Sequence, residues 1–272
     1  MTGKRQDRAR AFASSHLGTA TADLLCAIAF LTRLPVPAGS AAHARPLSGA
    51  AWAFPLVGLP VGLAAGAAMA LADALGVPAL AAALLGLALS AFVTGALHED
   101  GLADMLDGAW GGMDRARRLA IMRDSRIGGY GALGLVIATG IKAACLAHLI
   151  GGAGAEAAWL ALIAAAMVGR GALPAVMHGL GHARETGLAA MAGRPDARRT
   201  GIAAAIGIIA LPLLLGPGAG VVAGLLAALV AAKLAFVARW KLGGQTGDVL
   251  GAIEQAVEIT VLLCAAAAID PV

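Results

Sequence analysis

The chain has 272 residues and a formal net charge of +4; 60% of the residues are hydrophobic and only 13% are charged. A soluble domain carries about 25% charged residues, and the mean hydropathy here is +0.83. These values exclude an ordinary soluble domain and also a soluble core with one anchor, so the bilayer must act as the solvent. Juxtamembrane basic residues explain the small positive charge, and we expect no nucleic-acid partner.

Seven apolar runs are long enough to cross a bilayer, which takes roughly 17–25 residues per helix. A shorter run at 22–34 stops at Pro35 and is expected to insert only part-way. The sequence therefore predicts an all-α, polytopic integral membrane protein with about seven transmembrane helices and a half-inserted N-terminal segment, forming a single domain over 1–272. The seven runs are 48–72, 78–97, 130–150, 157–178, 201–216, 219–238 and 253–269.

Basic residues divide the loops into two classes. Lys and Arg concentrate in one set of loops and are absent from the other, and the basic set is expected to face the cytoplasm. With a basic N-terminus on the same side, this pattern fits seven crossings and places two catalytic segments, 98–129 and 239–258, at the cytoplasmic face. The basic loops are 98–129, 179–200 and 239–250, and the loops without Lys or Arg are 73–77, 151–156 and 216–219.

The segment 98–126 combines a cluster of carboxylates with a cluster of arginines. Asp100, Asp104 and Asp107 have the spacing i, i+4, i+7, which places them on a stripe about 60° wide on one helix face. Three carboxylates repel one another unless a cation neutralises them, and such hard oxygen ligands suit Mg²⁺ or Mn²⁺ bound together with substrate phosphates. The alternative is a solvated acidic face. His98 begins the segment and is a candidate ligand or general base, or a helix-end hydrogen-bonding group.

Arginines follow the acidic stripe. Arg123, Asp124 and Arg126 lie in MRDSRIGGYG, where glycines let the backbone approach a ligand, and arginine suits forked contacts to phosphate. The alternative is that these arginines only mark the cytoplasmic side. Two single arginines near or within apolar runs, Arg33 and Arg170, are equally compatible with snorkelling to the interface and with holding a phosphate.

A second polar segment, 243–258, lies at the start of the last apolar run. Asp248 precedes the run, and Glu254 and Glu258 fall within its beginning, four residues apart. Carboxylates in an apolar helix are costly and therefore indicate a function. If the two polar segments meet at the cytoplasmic face, the site forms between them.

The chain resembles the cobalamin synthases, the adenosylcobinamide-GDP ribazoletransferases, over nearly its whole length. The resemblance rests on FLTRLPVP (30–37), HEDGLADMLDG (98–108), MRDSRIGGYG (122–131) and GGQTGDVLGA (243–252), in the family's order and spacing. This sequence departs from the family pattern at Glu99, where an apolar residue is common, and at Gln255, where a further acidic residue is frequent.

The resemblance implies transfer of a nucleotide-activated cobinamide phosphate to α-ribazole or its 5′-phosphate, giving cobalamin or its phosphate and GMP, with Mg²⁺ as cofactor. It also implies a bacterial inner-membrane enzyme that contacts lipid and acts on small molecules; a homo-oligomer is compatible with the sequence. From the residues themselves we expect the metal ligands to be Asp100, Asp104 and Asp107. The candidate catalytic residues are Asp104, Asp107, Asp124, Asp248 and His98, and the candidate substrate-binding residues are Arg33, Arg123, Arg126, Arg170, Gln245 and Thr246.

Two other functions would predict different sequence features. DxxDG at 104–108 also resembles the CDP-alcohol phosphotransferases, which would make this a lipid-synthesising enzyme, but the second half of that family's motif is not present in that form. A secondary transporter would show symmetry between two halves. No such symmetry is evident, and the charges gather at one membrane face.

Overall fold

The computed structural model describes residues 18–37 and 40–269, and in these ranges the protein is built from α-helices, with no β-strand. Short 3₁₀ turns accompany the longer helices near residues 41–53. The helices are α1 (Gly18–Leu31), α2 (Leu47–Ala74), α3 (Ala79–Thr94), α4 (Leu97–Gly111), α5 (Arg115–Ile121), α6 (Gly129–Ala153), α7 (Ala155–Gly179), α8 (Leu188–Ala192), α9 (Ala197–Leu215), α10 (Pro217–Leu242) and α11 (Gly247–Ala267).

Six of the described helices are long and apolar enough to cross a membrane, namely α2, α6, α7, α9, α10 and α11. Helices α3 and α4 pass the same test only as a bent pair, which would make a seventh span. The predicted all-α polytopic membrane fold is therefore confirmed. Helix α1 is shorter than these spans, and the N-terminal residues 1–17 lie outside the described range.

The bend between α3 and α4 is the main departure from the predicted spans. The expected run 78–97 ends at Thr94, because Gly95 and Ala96 both adopt left-handed backbone conformations, with φ of 66° and 55°. The two helices then meet at 91°. Helix α4 consequently leaves the direction of α3 and carries its acidic residues against α11.

Helix α7 is the most enclosed of the spans and packs against α2, α6, α9 and α11. Small residues allow this close packing. A methyl group added at Gly58 of α2 would lie 2.4 Å from the carbonyl oxygen of Ala166, and one at Gly62 would lie 2.6 Å from the Cα of Ile163. The backbones of α2 and α7 therefore touch directly, and α7 lies at the centre of the helices that pack against it.

The three polar connections meet at one end of the bundle. Arg115 donates to the carbonyl of Ala183 at 2.9 Å, and Arg118 donates to the carbonyl of Lys241 at 3.2 Å. The segments after α4, α7 and α10 are thus in mutual contact, as expected if all three lie on the same side of the membrane. The short turns after α2, α6 and α9 lie at the other ends of their helices.

Candidate functional site

The two polar segments predicted from sequence meet where α4 crosses α11. A methyl group added at Gly101 would lie 3.0 Å from the carbonyl oxygen of Asp248 and 3.1 Å from the Cα of Gly251. A methyl group at Gly251 would in turn lie 3.1 Å from the carbonyl oxygen of His98. The two glycines thus allow a close approach of the helices, and the contact brings the acidic residues of α4 beside the first turn of α11.

Carboxylates from both helices face one another at this crossing. Burial, followed by the charges of Asp100, Asp248 and Asp107, raises the pKa of Asp104 to about 7, while Arg184 acts in the opposite direction. Asp104 is half-buried, so water screens the repulsion between its carboxylate and the neighbouring ones only in part. Carboxylates that repel one another in this way favour a bound cation, including the counter-ion of an anionic substrate.

A small cavity opens beside these carboxylates. It has a volume of about 80 Å³ and is lined on its polar side by His98, Asp100 and Asp248. Its remaining walls are apolar and come mainly from α1, α2, α7 and α8. Helix α8, which the sequence did not predict, helps to close this cavity. The carboxylates thus line one side of a cavity whose other walls are mainly apolar.

Asp107 has a different environment from the other two acids of the stripe. Its side chain is buried and accepts hydrogen bonds from the backbone N–H groups of Gly128, at 2.7 Å, and Gly131, at 2.9 Å. It therefore holds the N-terminus of α6, where a negative charge is favoured. Within the described residues, no three His, Cys, Asp or Glu side chains are arranged as a metal site. The predicted set Asp100, Asp104 and Asp107 is not assembled here, because Asp107 caps a helix.

Gln245 and Thr246, predicted as substrate-binding residues, have structural contacts. Gln245 is buried and donates from Nε2 to the carbonyls of Leu180, at 2.6 Å, and Met177, at 3.2 Å. The hydroxyl of Thr246 accepts from the N–H of Val249 and so caps α11. These residues fix the entry into α11, and a direct substrate contact stays a prediction.

Arg184, one of the basic residues of loop 179–200, lies at the site. Its Nη2 donates to Oδ2 of Asp248 at 3.1 Å, and both side chains are mostly buried. Nothing in the sequence distinguishes Arg184 from the neighbouring Arg194 and Arg198. Only the contact between the segment after α7 and the start of α11 reveals its position.

Arg170 is fully enclosed in the membrane-embedded bundle, where it contacts carboxylates of α11. Its Nη1 lies 2.9 Å from Oε1 of Glu254 and 3.1 Å from Oε1 of Glu258. Lys142 of α6 completes the group, with its Nζ 3.0 Å from Oε2 of Glu258 and 2.8 Å from Oε1 of Gln255. The predicted phosphate contact of Arg170 is disfavoured by this geometry, because the guanidinium is enclosed by glutamates.

This interior ion cluster also reaches α4. Gln255 donates to Oε1 of Glu99 at 3.2 Å, and Nδ1 of His98 lies 3.6 Å from Oε1 of Glu254. The first turn of α4 is therefore held against α11 by polar contacts as well as by glycines. Lys142 was missed in the sequence analysis, although a lysine in the middle of an apolar run is itself a signal.

The remaining predicted residues lie at the surface. Asp124 and Arg126 are exposed and form an ion pair of 2.7 Å, and hydrogen bonds from Arg126 lower the pKa of Asp124 to about 2. Arg123 is exposed on the same segment. Arg33 is exposed and packs over Gly95, where an added methyl group would lie 2.3 Å from its Nε. None of these four side chains lines the cavity beside Asp248.

Comparisons with known proteins agree with the motifs. The family model described as cobalamin-5-phosphate synthase matches residues 23–266. A curated adenosylcobinamide-GDP ribazoletransferase of Bradyrhizobium diazoefficiens is 46% identical over 246 residues, which cover 90% of this chain and 94% of that protein. Proteins of the same name from Azorhizobium caulinodans and Mesorhizobium japonicum are 46% and 42% identical, over 89% and 91% of this chain and 94% of each relative.

No solved structure matches the chain. The family match nevertheless spans both carboxylate-bearing helices and the interior ion cluster that joins them. Together with relatives above 40% identity over about nine-tenths of the sequence, this match identifies the chain as a member of the cobalamin-5-phosphate synthase family.

Proposed function

We propose that this enzyme joins adenosylcobinamide-GDP to α-ribazole or α-ribazole 5′-phosphate, giving adenosylcobalamin or its 5′-phosphate and releasing GMP. The observation that carries the proposal is the meeting of Asp100 and Asp104 on α4 with Asp248 on α11, in a chain of this family. A displacement at a diphosphate needs a base for the proton of the attacking hydroxyl. It also needs a cation to offset the negative charge that develops on the leaving nucleotide, and carboxylates beside a pocket can supply the base and hold the cation.

The reaction is a displacement at phosphorus. A ribose hydroxyl of the ribazole, the 3′-hydroxyl as in finished cobalamin, attacks the phosphorus that bears the cobinamide. The new O–P bond forms as the bond to the GMP oxygen breaks, and the hydroxyl proton passes to a base of the protein. GMP leaves with the electron pair of the broken bond.

Asp248 is the candidate base best supported by the geometry, because it lines the cavity beside the other carboxylates. His98 is its rival, since it lines the same cavity and no described residue bonds to its Nε2. Asp124 is a weaker candidate. Its charge is already stabilised by Arg126, which leaves the carboxylate with a pKa of about 2 and little affinity for a proton.

Mg²⁺ is proposed as the cofactor. Magnesium is commonly held by one or two protein carboxylates together with waters and substrate phosphates, and the repulsion focused on Asp104 fits such an arrangement. Asp100 and Asp104 would hold the ion, whereas Asp107 is engaged at the end of α6. When bound, the ion would neutralise charge on the diphosphate.

The protein is a multi-pass membrane protein, and we propose the bacterial inner membrane with the polar end of the bundle facing the cytoplasm. The concentration of Lys and Arg in the connections at that end supports this orientation. Lipid contacts are supported by an open, mainly Ala- and Gly-lined groove of about 510 Å³ between α7, α9 and α10.

The test is an assay of the purified protein with adenosylcobinamide-GDP and α-ribazole, with their products separated by chromatography. We expect cobalamin and GMP in equal amounts, and no product after the divalent metal is removed with a chelator. Restoring Mg²⁺ should restore turnover. Formation of a lipid product from a CDP-alcohol, or the absence of cobalamin at any Mg²⁺ concentration, would contradict the proposal.

A further inference from the structure

Arg184 combines two properties that point to a ligand. One end of its guanidinium, Nη2, donates to Oδ2 of Asp248 at 3.1 Å. The other end, Nη1, is buried, and none of the described residues accepts a hydrogen bond from it. A buried donor without an acceptor costs free energy, so such groups are rare unless they serve a function. The forked guanidinium can bind a carboxylate with one nitrogen and a phosphate oxygen with the other.

The backbone beside Arg184 is held in place on both sides. The N–H of Ala183 donates to the carbonyl of Gln245 at 2.9 Å, and the N–H of Gln245 donates to the carbonyl of Gly181 at 2.8 Å. Arg115 binds the carbonyl of Ala183 from a third segment, also at 2.9 Å. Arg184 therefore extends from a fixed point toward the carboxylates, and its charge acts on Asp104 as well as on Asp248.

Other arginines near the polar end are engaged elsewhere. Arg118 donates to three backbone carbonyls, and Arg199 binds a backbone carbonyl and the nearby Asp196. Arg126 is exposed and paired with Asp124. Arg170 also has a buried nitrogen, Nε, without an acceptor among the described residues, but its guanidinium is enclosed by glutamates inside the bundle and lies away from the site carboxylates. Among the arginines that the structure describes, Arg184 is the one that touches a site carboxylate and keeps a buried donor free.

We propose that Arg184 is a catalytic residue that binds the diphosphate of the nucleotide-activated substrate through Nη1 while Asp248 holds its Nη2. The inference rests on the proposed function and assigns the Arg184 guanidinium as the group that binds the diphosphate of the substrate. The guanidinium offsets the charge that develops on the departing nucleotide, while the displacement itself follows the bond changes described above.

The experiment compares Arg184→Gln and Arg184→Lys with the wild type in the purified, membrane-extracted full chain at saturating Mg²⁺. We expect Arg184→Gln to lower kcat/KM for adenosylcobinamide-GDP by about 100-fold or more, as removal of a charge-stabilising donor commonly does. The KM for α-ribazole should change by less than about threefold. Arg184→Lys should recover only part of the loss, because an ammonium cannot bind the carboxylate and the phosphate as a fork.

Direct binding of GDP separates a substrate contact from a purely structural role. GDP serves as the diphosphate probe, measured by titration calorimetry with Mg²⁺, and its affinity should fall at least about tenfold in Arg184→Gln. Arg194→Gln is the matched control, because Arg194 lies on the same segment and binds the backbone carbonyl of His178. This control should leave both GDP affinity and turnover within about threefold of wild type.

Unchanged GDP affinity in Arg184→Gln would overturn the proposal, whatever happens to turnover. Equal changes in the KM of both substrates together with a lowered melting temperature would also overturn it, since they would make Arg184 a support for the fold. If the wild-type protein makes no cobalamin, the proposed function fails, and GDP binding by the two variants still decides whether Arg184 receives a diphosphate.

Discussion

Two groups of charged residues lie on either side of the crossing between α4 and α11, and their charges are balanced differently. In the interior ion cluster, Lys142 and Arg170 lie within 3.1 Å of the carboxylates of Glu254 and Glu258. At the polar end, several carboxylates share the single nearby cation Arg184 among the described contacts. The first arrangement resembles a buried salt bridge that fixes helix register, whereas the second leaves carboxylates whose mutual repulsion a bound cation would relieve.

Burial of charged residues therefore does not by itself identify the candidate catalytic site in this membrane protein. In the more deeply buried cluster, positive and negative side chains are paired with one another, and these pairs hold α11 against α6 and α7. The less buried carboxylates remain exposed to mutual repulsion. Substitutions in the two groups should therefore affect different measurements.

The largest effect on activity is expected from Asp104→Ala. Loss of this carboxylate should abolish measurable turnover, with a decrease on the order of 100-fold or more, because the group beside Asp100 and Asp248 would no longer position the diphosphate and its counter-ion. The melting temperature in detergent should not fall, since the substitution relieves repulsion. Asp114→Ala is the control, because Asp114 only caps α5. Activity of Asp104→Ala within about tenfold of wild type, or 1.4 kcal/mol of barrier, would contradict the assignment.

The largest effect on stability is expected from Lys142→Met. Removing this cation leaves Glu258 and Gln255 without its hydrogen bonds inside the bundle, which typically costs about 3–5 kcal/mol. The protein should melt at a clearly lower temperature, while the Mg²⁺ concentration for half-maximal turnover of the remaining folded enzyme stays the same. The double variant Lys142→Met/Glu258→Gln should regain part of the stability. A changed Mg²⁺ requirement with normal stability would place Lys142 in the functional site instead.

The smallest effect is expected from Asp107→Asn, and it separates a helix cap from a metal ligand. Asparagine keeps one oxygen acceptor for the N–H groups of Gly128 and Gly131 but removes the charge at the end of α6. The expected loss is about 1 kcal/mol of stability. Titration of turnover with Mg²⁺ should give the same midpoint as in the wild type. An Mg²⁺ concentration for half-maximal turnover that is raised tenfold or more would instead identify Asp107 as a metal ligand.

The fold could largely be predicted from the sequence because long apolar runs have few alternatives in a bilayer. The span predicted at 130–150 corresponds to α6, and the one predicted at 157–178 corresponds to α7. The run at 78–97 was predicted incompletely, because hydropathy does not report the left-handed residues Gly95 and Ala96 that turn the chain. The last helix begins at Gly247, several residues before the apolar run, because its first turn is capped by Thr246.

The candidate site was predictable only in outline. Helical spacing placed Asp100 and Asp104 on one face, and the distribution of basic residues placed them at the same membrane face as the segment containing Asp248. Spacing alone could not show that Asp107 faces the end of another helix. It also could not distinguish Arg184 from other basic loop residues, because the contact with Asp248 joins segments 64 residues apart.

The pairing of α6 and α7 with α11 has a consequence for how the protein is made. Chains are synthesised from the N-terminus, so Lys142 and Arg170 enter the membrane before the glutamates of α11 exist. A lysine or arginine at the centre of a membrane helix costs roughly 2.5–3.5 kcal/mol on insertion scales, and this penalty persists until the final helix arrives. The same helix delivers Asp248, so a truncated or stalled chain has neither neutralised spans nor an assembled acidic site. Completion of the C-terminal helix thus couples correct membrane assembly to the appearance of activity.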